Sequence, residues 1–407
     1  MSQNGMSQHD AASHPVDNYQ MDAARWTTGR NVLVFAVLVS LLGCVAGYMA
    51  DPARFFNSYL VAFAYTSAIG IMSLFFVMVQ YLSGSAWSVT TRRIMENIMS
   101  TLPFGMLLFV PIVFGLKYIY PWTNPDIVKA SGVLQSKSGF LSENFFVLRT
   151  YIYFALWSIW AIAIYTQSVK QDRTRSVKQM YAISRWSAPG LFLGVVVGSM
   201  ASFDWLMSVE PAWYSTIFGL YYLSDGALAF FAVVTLVSLG FRRAGILKHS
   251  IHDEHYHDLG KWLFAMTAFY TYIAFSQYML IWYANLPEET IFYRHRMVGS
   301  WLPLSLALPI LRFFIPFFSL LCRPAKRKTG VIGFFAAYSL LVVYLDYYWV
   351  VMPVHSPKGI DISWIDFATL AATVSVCALA FWSRFRRHSM VPVGDLRLEQ
   401  SLHFENA

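Results

Sequence analysis

The stretch APGLFLGVVVGSMASFDWLMS, residues 188–208, contains one carboxylate, Asp204, and no basic side chain. A bilayer core requires about 20 apolar residues for one helix, so this stretch predicts a membrane span. Nine other stretches have the same length and character. The ten predicted spans are residues 31–49, 58–83, 98–119, 145–166, 188–208, 215–241, 260–283, 297–321, 331–350 and 363–383.

The composition agrees with a polytopic all-α membrane protein. Of the 407 residues, 57% are hydrophobic and only 13% are charged, whereas a soluble domain averages about 25% charged. The longest predicted loop, residues 118–144, is too short to build a hydrophobic core of its own. We therefore expect a polar tail at 1–30, one membrane domain at 31–383 and a second tail at 384–407.

Basic residues predict the orientation of the chain. With the N-terminus inside, 21 Lys and Arg side chains lie on the inner side and eight on the outer side. This asymmetry follows the positive-inside rule and predicts that both termini are cytoplasmic. It also accounts for the net charge of +8, so no nucleic-acid partner is required.

Cysteine and histidine positions argue against cofactor sites within the spans. Cys44, Cys322 and Cys377 are single and far apart, which excludes a CxxC pair. Every histidine lies outside the predicted spans, so no haem is held between histidines inside the membrane. The segment KHSIHDEHYHDLGKW (248–262) has four histidines whose spacing suits a borderline metal, but a loop that contacts solvent or another subunit is the favoured interpretation.

Ionisable side chains inside the hydrocarbon usually face a partner, a cavity or a pathway. The deepest are Asp225 and Arg312, which we predict to form a buried ion pair. This pair has either a structural role or a role in a proton or ligand site. Pro303, Pro309 and Pro316 interrupt the same span as Arg312 and free backbone carbonyls, which either join such a site or only kink the helix.

Two outer helix ends share a pattern. Asp204 and Asp346 each lie between apolar or aromatic residues, and a proline follows each after seven residues. The pattern predicts a parallel repeat of spans 2–5 and 6–9, with coincidence as the alternative. Glu210, Glu288 and Glu289 are interpreted as solvated caps at the outer ends, and Glu96 and Asp172 as ordinary loop charges.

Two segments are similar to those of a known membrane-protein family: FDWLMSVEPAWYSTIFGLYYLSDG (203–226) and HDLGKWLFAMTAFYTYIAFSQYMLIWYANLPEET (257–290). They resemble NrfD/PsrC-type membrane subunits, most closely the ActF-like subunits of bacterial alternative complex III. The resemblance implies two four-helix bundles, spans 2–5 and 6–9, with peripheral first and last helices.

The resemblance also implies a function in the bacterial inner membrane. Such complexes oxidise quinol or menaquinol and pass electrons to cytochrome c or an oxidase. The membrane subunit binds no metal, because haem c and iron–sulfur clusters belong to partners. The implied partners are an ActC-like paralogue, an iron–sulfur subunit, multihaem and monohaem cytochrome c subunits, a terminal oxidase and membrane lipids.

The leading hypothesis is a subunit that provides a proton path, with no redox centre of its own. Its candidate residues are Asp204, Asp225, Gln277, Tyr278, Glu288, Arg312 and Asp346. A variant places a quinone pocket at Asp204 and Trp205, where a carboxylate accepts the quinol proton. The alternatives are a stand-alone secondary transporter and a purely structural membrane anchor.

Overall fold

This computed structural model describes residues 17–406, and its regular structure is helical throughout that range. The first eight α-helices are α1 (Ala23–Ala50), α2 (Pro52–Leu82), α3 (Val89–Met99), α4 (Leu102–Ile119), α5 (Pro125–Ala130), α6 (Gly132–Lys137), α7 (Glu143–Thr174) and α8 (Val177–Trp205). The others are α9 (Phe218–Arg243), α10 (Asp253–Ala284), α11 (Pro287–His295), α12 (Trp301–Pro309), α13 (Ile315–Leu321), α14 (Arg323–Arg327), α15 (Thr329–Val351), α16 (Trp364–Ser383) and α17 (Leu398–Leu402).

The helices of the described residues fit a multi-pass membrane protein. Nine are long and apolar enough to cross a membrane, where α3 with α4 and α12 with α13 each count as one. The prediction of an all-helical, multi-pass chain is confirmed to this extent. The seventh predicted span lies in α10, which has 32 residues but carries many tyrosines and polar side chains and is not among the nine. The number of ten spans stays a prediction.

Helix contacts divide the long helices into groups. α2, α4, α7 and α8 pack around one another, and α9, α10, α13 and α15 form a second group. α2 also packs against α9 and α15 and so joins the two groups. α1 lies along α16, which packs on α2. We call "outer" the end where α4, α8 and α15 finish, following the orientation that the basic residues predict.

The chain ends are more ordered than predicted. α1 begins at Ala23, eight residues before the predicted span, because the Asp22 carboxylate caps it by accepting from the N–H of Arg25. Residues 1–16 of the predicted tail lie outside the described range. The C-terminal segment packs onto the helices, with Val391 and Asp395 buried, because that segment supplies a carboxylate to a buried arginine.

A π-helical turn interrupts the helix that carries Arg312. The turn spans Ile310–Phe314 and lies between Pro309 and Pro316. Proline has no N–H to donate, so the regular i→i−4 ladder cannot continue through either position. The wider turn resolves this break, and its position at a buried ionic side chain matches the common occurrence of π-turns at functional sites.

Candidate functional site

The predicted ion pair between Asp225 and Arg312 is present. Asp225 belongs to α9 and Arg312 to the π-turn, and the Arg312 Nη2 donates to the Asp225 Oδ1. Both side chains are buried. The guanidinium carbon of Arg312 also lies 3.6 Å from the ring centroid of Tyr270. The broken helix therefore directs its one arginine into the second helix group.

Asp346 lies beside this pair and is held by two tyrosines. The Tyr221 hydroxyl donates to Asp346 Oδ2 at 2.5 Å, and the Tyr270 hydroxyl donates to Oδ1 at 3.0 Å. The two hydroxyls are 3.1 Å apart. The ring of Tyr270 contacts Arg312 and its hydroxyl reaches Asp346, so Tyr270 joins Asp346 to the Asp225–Arg312 pair. We call these residues, Asp225, Asp346, Arg312, Tyr221 and Tyr270, the carboxylate cluster.

The carboxylate cluster has unmatched charge and unmatched hydrogen-bonding groups. It holds two carboxylates and one guanidinium. The Oδ2 of Asp225 and the Nε and Nη1 of Arg312 are buried without a hydrogen-bond partner among the described residues. Buried polar atoms without partners are costly. Two carboxylates that share one site do not both ionise readily.

Asp204 lies in a separate, balanced site. Its Oδ2 accepts from the Arg149 Nε at 2.9 Å and from the Tyr153 hydroxyl at 2.8 Å, and its Oδ1 accepts from the Arg149 Nη2 at 2.8 Å. All three side chains are buried. Arg149, one of the eight basic residues counted on the outer side, lies within α7 and not in a loop, and it points towards α8. No described contact joins Asp204 to the carboxylate cluster.

Trp205 forms part of the core between the two helix groups. Its ring is fully buried and contacts Phe63 and Phe154 at centroid distances of 4.9 and 5.5 Å. The indole Nε1 donates to the Thr150 hydroxyl. The ring has no exposed face to offer a quinone.

The outer ends contain a second buried acid that the sequence interpretation missed. Glu210 was expected to be solvated, but its side chain is only 9% exposed and pairs with Arg296 Nη1 at 2.7 Å. His295 Nδ1 lies 3.0 Å from the other Glu210 oxygen. Burial favours the neutral acid, but the Arg296 guanidinium and His295 hold the pKa of Glu210 below its usual value. Glu288, in contrast, is exposed as predicted.

The inner ends of the first helix group hold a network of charges. Arg93 pairs with Glu96 at 3.1 Å and with Asp172 at 2.6 Å, while Arg92 pairs with Asp395 at 2.5 Å. Glu96 was interpreted as a loop charge, and this is wrong, because it lies inside α3 and is fully buried. Asp172 is also largely enclosed, with a side chain that is 12% exposed. Each carboxylate here has an arginine partner.

The remaining predicted path residues lie on the outer half of α10. Gln277 is buried seven residues, about two turns, from Tyr270 on the same face of the helix. Its amide oxygen accepts from the Ser215 hydroxyl at 3.3 Å. Tyr278 is 38% exposed and contacts the ring of Tyr293. Gln277 therefore continues the line of the carboxylate cluster, whereas Tyr278 lies at its edge.

The histidine-rich segment serves as a helix cap. The His255 Nδ1 accepts from the backbone N–H of His252 and closes a capping box at the start of α10. Burial and the neighbouring His252 lower the pKa of His255 to about 3. Within residues 17–406, no group of three or more His, Cys, Asp or Glu residues is arranged to hold a metal ion.

Several residues of these sites were missed by sequence reasoning, although helical spacing carries a signal for them. Tyr221 precedes Asp225 by four residues, and Arg149 precedes Tyr153 by four. Residues four apart lie on one face of a helix. The spacing therefore pairs each polar side chain with another on its own helix, but it does not indicate which other helix the pair faces.

Comparison with known proteins adds no relative. No family model matches the chain, and no curated protein matches it significantly. Any function assigned to the chain therefore rests on the geometry of these sites and on the resemblance of its sequence segments.

Proposed function

We propose that this chain is an integral membrane subunit of a quinol-oxidising respiratory complex and that the carboxylate cluster is its proton-binding centre. One observation carries the proton-binding role. Among the buried ionic groups described above, the carboxylate cluster has more carboxylates than basic side chains. Asp204 with Arg149 and Glu210 with Arg296 are balanced, and the inner network sets Arg92, Arg93 and Arg397 against Glu96, Asp172 and Asp395.

A bound proton resolves the imbalance. An uncompensated charge in the hydrocarbon costs several kcal/mol. One proton on Asp225 or Asp346 makes the cluster neutral. Loss of this proton leaves Arg312 to share its charge between two acids, so Arg312 stabilises the deprotonated state as well.

A route from the cluster to the outer end is supported by the polar face of α10. Tyr270 belongs to the cluster, and Gln277 lies two turns closer to the outer end. The Ser215 hydroxyl donates to Gln277 there. Asp204, which is balanced by Arg149, fastens α7 to α8 in this proposal and carries no proton.

The quinol chemistry belongs to the assembled complex. Oxidation of a quinol releases protons and electrons. In this proposal the electrons pass through partner subunits that carry iron–sulfur clusters and haem c, and an ActC-like paralogue lies beside this chain in a bacterial inner membrane. The cluster couples electron transfer to proton movement.

Proton pumping by the intact complex in sealed vesicles tests the proposal. We expect Asp346→Asn and Asp225→Asn each to lower the ratio of protons moved to electrons transferred. Asp126→Asn, on the exposed helix α5, is the matched control and should retain the wild-type ratio. An unchanged ratio in both cluster variants would contradict the proton-binding role.

Two further measurements separate the alternatives. If the cluster only joins helices, replacing Asp225 with Leu and Arg312 with Met together should leave both turnover and the proton ratio intact. If the chain is a stand-alone secondary transporter, which its proline-broken helix also suits, the isolated chain should take up a solute and should purify free of haem-bearing partners.

A further inference from the structure

The described surface has a groove between the outer halves of α1 and α4, far from the carboxylate cluster. The groove encloses about 490 Å³, which falls within the range of about 300–1,000 Å³ for small-molecule sites. Its walls are apolar or aromatic except for one ammonium group. The lining residues are Tyr48, Phe56, Val110, Pro111, Phe114, Lys117 and Tyr118.

The groove has a polar end and an apolar body. Lys117, Phe114 and Val110 follow each other at helical spacing along one side of α4, so the ammonium lies at the outer end and apolar side chains lie deeper. Seven residues of α-helix extend over about 10 Å. Phe114 and Tyr48 are 73% and 48% exposed and so offer their faces to whatever occupies the groove.

Two features keep the groove open. Phe56 stacks on Tyr118 with ring centroids 5.3 Å apart and forms the floor. Gly115 provides the space for this ring, because an added Cβ would meet it at 2.3 Å. Pro111 lies inside α4 and cannot donate to the carbonyl of Leu107, which disturbs the helix at the deep end of the groove.

Lys117 has no anionic partner among the described residues. It forms no ion pair with any residue in the 17–406 range, and its ammonium lies 5.1 Å from the Tyr118 ring centroid. We infer that the groove binds an anionic phospholipid, with the phosphate on Lys117 and an acyl chain along Phe114 and Val110. A charge at the membrane surface above a deeper apolar channel matches the shape of a phospholipid, and a lysine ammonium attracts a phosphate as a point charge.

Native mass spectrometry of the full-length protein from nanodiscs of equal phosphatidylglycerol and phosphatidylcholine tests this site. We expect the wild-type protein to retain phosphatidylglycerol preferentially. Lys117→Gln should lower that retention about fivefold, the factor expected from one basic group near an anionic headgroup. Lys129→Gln changes an exposed lysine of the outer loop and is the matched control, which should retain the lipid.

Two further measurements test the lipid site even if Lys117→Gln is poorly folded. High salt should reduce phosphatidylglycerol retention by the wild-type protein, because the contact is ionic and partly exposed. Phe114→Ala should reduce retention while leaving the headgroup preference intact. Equal retention of both lipids, unchanged retention in Lys117→Gln, or a quinone found in place of the lipid would overturn the assignment.

Discussion

Several buried charged side chains each depend on one oppositely charged partner. Removing that partner would leave an uncompensated charge inside the protein. Arg149 and Asp204 form a bidentate pair in which Tyr153 supplies a third donor. Bidentate geometry makes such pairs strong and orientation-specific. Asp204 was visible in the sequence as an exception within an apolar run, whereas Arg149 was not, because an arginine near a span end is also common in loops.

Removing Arg149 should therefore destabilise the fold. Arg149→Met leaves the Asp204 carboxylate buried without a cation, which costs about 3–5 kcal/mol. Arg173→Met, at an exposed position of the same helix, should change stability little. Thermal unfolding in detergent measures both. The double variant Arg149→Met with Asp204→Leu should recover part of the loss, and a double variant as unstable as Arg149→Met alone would contradict the ion-pair explanation.

Helix packing in the first group depends on close approach at glycine. At Gly105 in α4, an added Cβ would meet the Phe154 ring of α7 at 2.0 Å. We expect Gly105→Ala to destabilise the protein by about 1–3 kcal/mol through overpacking. Gly240, near the end of α9, has no atom within 4 Å of an added Cβ, so Gly240→Ala should be neutral or stabilising by up to about 1 kcal/mol. Thermal unfolding of the two variants gives the comparison, and equal effects would refute the packing argument.

The start of α10 should respond to acid. The pKa of buried His255 is lowered to about 3, while in the unfolded chain it is about 6.5. The unfolded state therefore takes up this proton first, so the contribution of His255 to stability is full above about pH 6.5 and is lost as the pH falls towards 3. Unfolding midpoints at pH 7.5 and 5 should differ less in His255→Gln than in the wild type.

His249 provides the control for this acid response. It lies in the same segment but is exposed, and His249→Gln should keep the wild-type difference between the two pH values. If His255→Gln also keeps that difference, the acid sensitivity arises elsewhere.

Helices could be predicted from the sequence wherever one physical requirement, such as the length of an apolar run, determines them. The need for long apolar runs located the helices, including the span at residues 260–283 that lies in α10. The only sequence signal for the π-turn at Ile310–Phe314 was the presence of the flanking prolines Pro309 and Pro316. Boundaries were less predictable, since the start of α1 depends on the cap at Asp22 and not on apolar residues.

At the scale of the whole molecule, the C-terminal segment closes the inner end of the bundle. Asp395 pairs with the fully buried Arg92 of α3 across 303 residues of sequence. Such a partner was invisible in the sequence, because a short polar tail and a docked segment have similar composition.

Loss of the Asp395 contact should weaken the entire fold. Asp395→Asn leaves the Arg92 guanidinium buried without a counter-charge, and we expect a loss of about 3–5 kcal/mol. Glu399→Gln changes an exposed carboxylate of α17 and should have little effect. Limited proteolysis and thermal unfolding follow both variants. A stable Asp395→Asn protein would indicate that the segment is dispensable for closing the bundle.

The carboxylate cluster joins α9, α10, the π-turn and α15, so its charge state concerns the molecule as a whole. The sequence predicted the pair of Asp225 and Arg312 from their depth, and the matching position of Asp346 from the repeated proline spacing. It did not predict that Asp346 meets that pair or that Tyr221 and Tyr270 connect them. Those contacts depend on which face each of the four helical segments turns towards the others, and sequence spacing does not determine this.

The proton shared by Asp225 and Asp346 is the central claim, and infrared spectroscopy of the protein in vesicles measures it directly. At neutral pH we expect the carbonyl stretch of a protonated carboxylic acid in the wild type and in Asp126→Asn. The band should disappear in both Asp225→Asn and Asp346→Asn, because Arg312 then balances the one carboxylate that is left. A wild-type spectrum without this band, or one that neither cluster variant alters, would contradict the account.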